Sequence, residues 1–129
     1  MGKQAQITGN WKSGKDFINM KLAVIMFEED GSQIMYCPAL DISGYGKNAK
    51  DAHQSFEISL SEFFQYTLNK NTFKEVLSGM GWTVKKSKHK PMYPPDMSEL
   101  LQKNDNFNRI FNNYDFKKMT QNISLPAYA

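Results

Sequence analysis

The sequence predicts an α+β fold, a strand–strand–strand–helix–strand core followed by a helical tail. Three observations predict it. Leu22–Phe27 is a continuous apolar run, as a strand buried on both faces requires. Asp30-Gly31 lies between that run and a second one, Ile34–Cys37, and Asp-Gly supplies the positive φ angles of a tight hairpin turn. Ala52, Phe56, Leu60, Phe63, Phe64 and Leu68 then recur at spacings of three and four, the period of an amphipathic helix.

Taken in order, residues 1–19 scatter Ile7, Trp11 and Phe17 among glycines and polar residues and read as an irregular arm. Met20 is a candidate natural start, with the arm as an extension; a mature chain from the source cell that begins upstream of Met20 would sink that idea. Residues 20–90 form the core. Leu22–Phe27 is its first, central strand and Ile34–Cys37 the return strand. Pro38, which lacks an amide donor, ends the pairing. Ala39–Gly46 leads through a loop into a short third strand, with Gly44 and Gly46 at tight bends. Asn48, with Asp51 three residues on, caps the helix, which runs to about Leu68. Thr72 and Glu75 have the spacing of a capping box for a second short helix ending at Gly79 or Gly81. Trp82–Lys88 reads as a fourth strand.

Pro91, Pro94 and Pro95 open a linker, and residues 91–129 form a tail that packs on the core or on a second subunit. Asp96 and Glu99 cap a short helix holding Leu100 and Leu101. Phe107, Ile110, Phe111 and Tyr114 give further helical turns, and Ile123 and Leu125 a short last strand.

Composition narrows the function classes. At 40% hydrophobic residues the chain can build a core. The longest apolar run is too short to span a bilayer and nothing reads as a signal peptide, so the expectation is a cytoplasmic protein with no membrane partner. One cysteine, Cys37, allows no internal disulfide. The net charge of +3 is local: no acid falls between Glu75 and Asp96, whereas Lys85, Lys86, Lys88 and Lys90 all do. These four are candidate contacts for nucleic acid or an acidic partner; equally, lysines on an edge strand discourage pairing with other chains. The tail could hold a helix-turn-helix around Asn104-Asp105-Asn106, but its lysines and arginine only balance its acids, whereas DNA-reading elements carry net positive charge.

Three blocks carry a family resemblance: Phe27-Glu-Glu-Asp-Gly31; Tyr36-Cys-Pro-Ala-Leu-Asp-Ile-Ser-Gly44; and Gly46-Lys-Asn-Ala-Lys-Asp-Ala52. Together they resemble the HicB antitoxin family over residues 20–88, with Asn48 and Asp51 where that family has Thr and Glu. The resemblance implies a pared-down ribonuclease H-like sheet with helices on one face and the first strand central. A right-handed crossover would set the fourth strand parallel beside the first. In Asp30, Gly31, Pro38, Gly44, Gly46, Asn48 and Asp51 it implies the structural hairpin, loop and helix entry. It further implies a bacterial toxin–antitoxin role, in which the protein neutralises a small ribonuclease toxin by direct binding, as a homodimer and without a cofactor.

Catalysis finds no support in the residues. Ribonuclease H chemistry needs carboxylates on the first strand, helix and fourth strand to hold two metal ions. Leu22–Phe27 and Trp82–Lys88 contain none, so Glu57 and Glu62 lack strand partners. Cys37 reads as a small apolar filler and His53 as a solvated helix residue, so with Asp41 they do not make a nucleophilic set, and His53 and His89 have no metal-ligand spacing with Cys37. The expectation is therefore a non-enzymatic protein-binding module. The alternatives are a nucleic-acid-binding protein using Lys85–Lys90 and a dimerisation domain of other function.

Overall fold

A computed structural model describes residues 17–84 and 92–126. Its elements are β1 (Phe17–Glu29), β2 (Ser32–Cys37), β3 (Ile42–Gly46), α1 (Ala49–Asn69), α2 (Phe73–Gly79), β4 (Thr83–Val84), β5 (Met92–Tyr93), α3 (Met97–Lys103), α4 (Asp105–Asn113) and β6 (Phe116–Pro126). The fold class is α+β. One four-stranded antiparallel sheet has the order β3-β2-β1-β6, and β4 and β5 form a separate two-stranded ribbon.

The hairpin forms as its residues dictate. Asp30 and Gly31 both take positive φ, 53° and 81°, so Glu29 pairs with Ser32 across a two-residue turn. β1 is central and its apolar run is buried, with Leu22, Val24, Ile25 and Phe27 all in the core. Asn48 caps α1 by accepting the Asp51 N–H at 2.9 Å on its Oδ1. The helical stripe faces inward through Ala52, Phe56, Leu60 and Phe64, and burying each phenylalanine contributes roughly 1.5–3 kcal/mol. Phe73 fastens α2 to α1 by edge contacts with Phe63 and Phe64, at 6.4 and 5.5 Å between ring centres.

Residues facing each other on neighbouring strands share a face of the sheet. Met26, Met35 and Gly44 form one such row. A Cβ on Gly44 would lie 2.1 Å from the Phe56 amide nitrogen, so this row faces α1, and only glycine lets the helix backbone come so close. Ile25 and Tyr36 face the opposite way, as do Phe27 and Ile34. There Tyr114, just past α4, packs its ring at a tilt against Phe27, 5.1 Å between ring centres, and Asn104 bonds to Tyr36. The sheet is thus covered on both sides.

Three expectations need correction. The strand begins at Phe17, because residues 17–19 pair with 124–126 of β6, so the arm is shorter than its scattered apolar residues suggest. The helices of the tail take the other side of the sheet: buried Phe107 and Ile110 turn α4 inward on the face away from α1. The fourth strand is not a parallel neighbour of β1. β6 takes that place, antiparallel and eleven residues long. Of Trp82–Lys88, only Thr83–Val84 is strand among the described residues, and it pairs with Met92–Tyr93. Trp82 explains the diversion: its buried indole donates to the Ala39 carbonyl at 2.7 Å, tying the segment to the β2–β3 loop. Finally, Thr72 does not cap α2. Its backbone, at φ −120° and ψ 10°, is not in the extended conformation a cap needs, and its hydroxyl points back to the Thr67 carbonyl at 3.5 Å.

Candidate functional site

The loop between β2 and β3 starts at Pro38, and its Ala39 and Leu40 are buried. Asp41 takes the left-handed conformation, φ 54°, and accepts a short hydrogen bond from the Tyr36 hydroxyl. Tyr36 is itself buried; burial, and then the bond to Asp41, raise its pKa far above the ordinary tyrosine value. The hydroxyl therefore stays a donor, and the Asp41 carboxylate is held by it.

Asn104 brings the tail to this loop. Its backbone N–H closes α3 on the Leu100 carbonyl at 2.8 Å, and its Oδ1 caps α4 by accepting the Phe107 N–H at 3.0 Å. Its Nδ2 donates to the Tyr36 hydroxyl at 2.9 Å and the Pro38 carbonyl at 3.3 Å. α3 is separately set by a complete capping box between Asp96 and Glu99. At the far end of α4, Arg109 contacts Glu29 at 3.4 Å and Asn106 at 3.1 Å, and Tyr114 donates to the same Glu29 carboxylate.

Between loop, α2 end and tail lies a cleft of ≈ 540 Å³. Pro38 and Asp41 form one wall, Ser78–Gly81 a second, and Glu99, Lys103 and Asp105 stand on the third. Among the described residues three carboxylates thus face one ammonium, an acidic lining on a chain whose net charge is +3. The arrangement suits a cationic group; among the described residues it presents no nucleophile beside a base.

Of the residues singled out from sequence, Asp30, Gly31, Pro38, Gly44, Gly46, Asn48 and Asp51 occupy the hairpin, loop and helix entry. Pro38 lines the cleft as well. Lys85, Lys86, Lys88, His89 and Lys90 lie outside the described residues. Cys37 is fully buried, and burial pushes its thiol up to about 12, so it is protonated at neutral pH. His53 sits 3.6 Å from Glu57 one helical turn on, and Asp41 is engaged with Tyr36. Among the described residues no group of three or more His, Cys, Asp or Glu could hold a metal, and no helix is long and apolar enough to cross a membrane. Sequence reasoning missed Tyr36 and Asn104 as a joint. The available signal was Asn104 placed three residues before Phe107, the spacing of an N-cap.

No family model, curated protein or solved structure matches the chain.

Proposed function

We propose that this chain is a protein-binding module of antitoxin type, which neutralises a small basic ribonuclease toxin in the cytoplasm by direct contact and has no catalysis of its own. One observation carries the reading. The loop that bears the central block of the HicB resemblance, Tyr36–Gly44, supplies a wall of an acidic cleft that the tail completes. A cleft with three carboxylates on a net-basic chain favours a cationic partner and opposes the phosphates of a nucleic acid. Affinity capture from source-cell lysate, read by mass spectrometry, tests it. A stoichiometric small basic protein that arrests growth alone, and not when this chain is co-expressed, is the expected result. A bait that returns only itself overturns the antitoxin role.

A second reading, nucleic-acid binding through Lys85, Lys86, Lys88 and Lys90, rests on four lysines in six residues with no acid between Glu75 and Asp96. Binding to duplex RNA whose affinity and salt slope are unchanged when all four become glutamine removes it.

A further inference from the structure

On the face of the sheet that carries the tail, one row of side chains crosses all four strands: Tyr45 on β3, Ile34 on β2, Phe27 on β1 and Phe116 on β6. The tail covers only part of this row. Phe27 is buried and meets Tyr114, and Phe116 lies against Phe111, 5.6 Å between ring centres. Ile34 is half-buried, whereas Tyr45 at the end of the row is 70% exposed, the most exposed large hydrophobic side chain among the described residues. In the next row Ser43, also exposed, stands opposite Tyr36. Asp41, which holds the Tyr36 hydroxyl, precedes both on the chain. Asp41, Ser43 and Tyr45 thus make one uncovered line beside the tail. It starts at the wall of the acidic cleft and reaches the aromatic ring four residues on, about 13 Å at ~3.3 Å per residue. Lys47 stands two residues past the ring, so charge along the line runs from negative at the cleft to positive at the far end. The Tyr45 N–H already donates to Ser55 Oγ at 3.1 Å, so this edge offers side chains rather than that amide to a partner.

We propose that the basic protein assigned to the cleft also covers the line from Asp41 to Tyr45, with a cation at the cleft and an apolar side chain on the Tyr45 ring. This extension rests on the antitoxin reading of the cleft. Single exposed apolar side chains are ordinary on a protein surface, and Tyr45 is set apart by its continuity with the cleft. Tyr66 and Ile58, 65% and 60% exposed, stand on α1, which packs on the other face of the sheet. Tyrosine suits the role, because its ring buries a large area at small entropic cost and tyrosines are over-represented among the residues that dominate interfaces. The charge gradient sets the partner's direction. A cation is drawn to the Asp41 end and repelled at the Lys47 end, which leaves the ring for an apolar group.

The test changes Tyr45 or Tyr66 in the full chain, with source-cell lysate as the probe and the small basic protein retained by the wild type as the readout. Tyr45→Ala is expected to weaken its retention about tenfold, Tyr45→Phe to keep it and Tyr66→Ala to leave it unchanged. A benzophenone side chain placed at position 45 is expected to cross-link to that same protein on irradiation, and one at position 66 is not. Both tyrosines are mostly exposed, so each variant is expected to fold as the wild type does, and thermal melts check it. If Tyr45→Ala retains the protein as the wild type does while removal of the cleft carboxylates releases it, the extension is overturned and the reading of the cleft stands. A wild type that retains no basic protein overturns both. A wild-type dimer that Tyr45→Ala dissociates puts a second copy on the ring and overturns the extension as well.

Discussion

Asn104 donates a 2.9 Å hydrogen bond to the Tyr36 hydroxyl across 68 residues of sequence, and through it the tail is keyed to the β2–β3 loop. The same side chain caps α4, so one amide sets both where the tail docks and where its last helix starts. The cleft exists because of that joint: remove it, and the wall carrying Glu99, Lys103 and Asp105 loses its anchor to the wall carrying Asp41.

Asn104→Ala therefore removes a helix cap and leaves the Tyr36 hydroxyl and the Pro38 carbonyl each one partner short. The expected loss is about 2–3 kcal/mol of unfolding free energy, from roughly 1 for the cap and the rest for the two bonds lost at the Tyr36 hydroxyl and the Pro38 carbonyl. Urea denaturation checks it. Tyr36→Phe, which also frees Asp41, is expected to cost about 1–2 kcal/mol.

Gly44→Ala tests the close approach of α1 to the sheet. Its new methyl meets the Phe56 backbone, which cannot rotate away, so a loss of about 3 kcal/mol or more is expected. Gly79→Ala is the control. Nothing lies within 4 Å of its added Cβ, and at the end of α2 it is expected to be neutral or to stabilise by up to about 1 kcal/mol. Equal effects at the two glycines would contradict the packing described.

Stability should fall on the alkaline side. The buried Cys37 thiol has its pKa raised from 9.0 to about 12, so between those values the unfolded chain has lost a proton that the folded chain keeps. Unfolding then releases protons, and stability declines as pH rises through that window; Tyr36, also raised, adds to the decline. Denaturation midpoints from pH 7 to 11 check the sign, and Cys37→Ala should flatten the slope. In the folded protein the thiol should react with a disulfide reagent only as fast as the chain opens.

Trp82→Phe keeps the ring and removes the indole donor to the Ala39 carbonyl, leaving a buried acceptor unpaired. A loss of about 1–2 kcal/mol in urea denaturation is expected. A neutral outcome would mean that this bond does not hold the segment after α2 against the loop.

The parts legible in the sequence are those whose signals are local. Asp30-Gly31 needs only its own positive φ angles, and α1 is written in its cap and its apolar stripe. Asp96 and Glu99 likewise announce α3 before any partner is known. The place of β6 was not legible, because strand pairing is non-local and Lys117-Lys118 interrupts the apolar alternation that would mark a sheet strand. Trp82–Lys88 carries the better strand pattern, and only the tertiary bond from Trp82 to Ala39 shows why it leaves the sheet. The cleft was not legible: Pro38 stood out only as the end of a strand and Asp41 only in a rejected nucleophilic set, and Glu99, Lys103 and Asp105 join them only once Asn104 has docked the tail.

The most direct measurement compares partner capture by the wild type with capture by a variant carrying Asp41→Asn, Glu99→Gln and Asp105→Asn together. The wild type is expected to retain a small basic protein from source-cell lysate and the folded triple variant to lose most of it, with wild-type binding weakening as salt rises. Equal retention by both proteins, or none by the wild type, would contradict it.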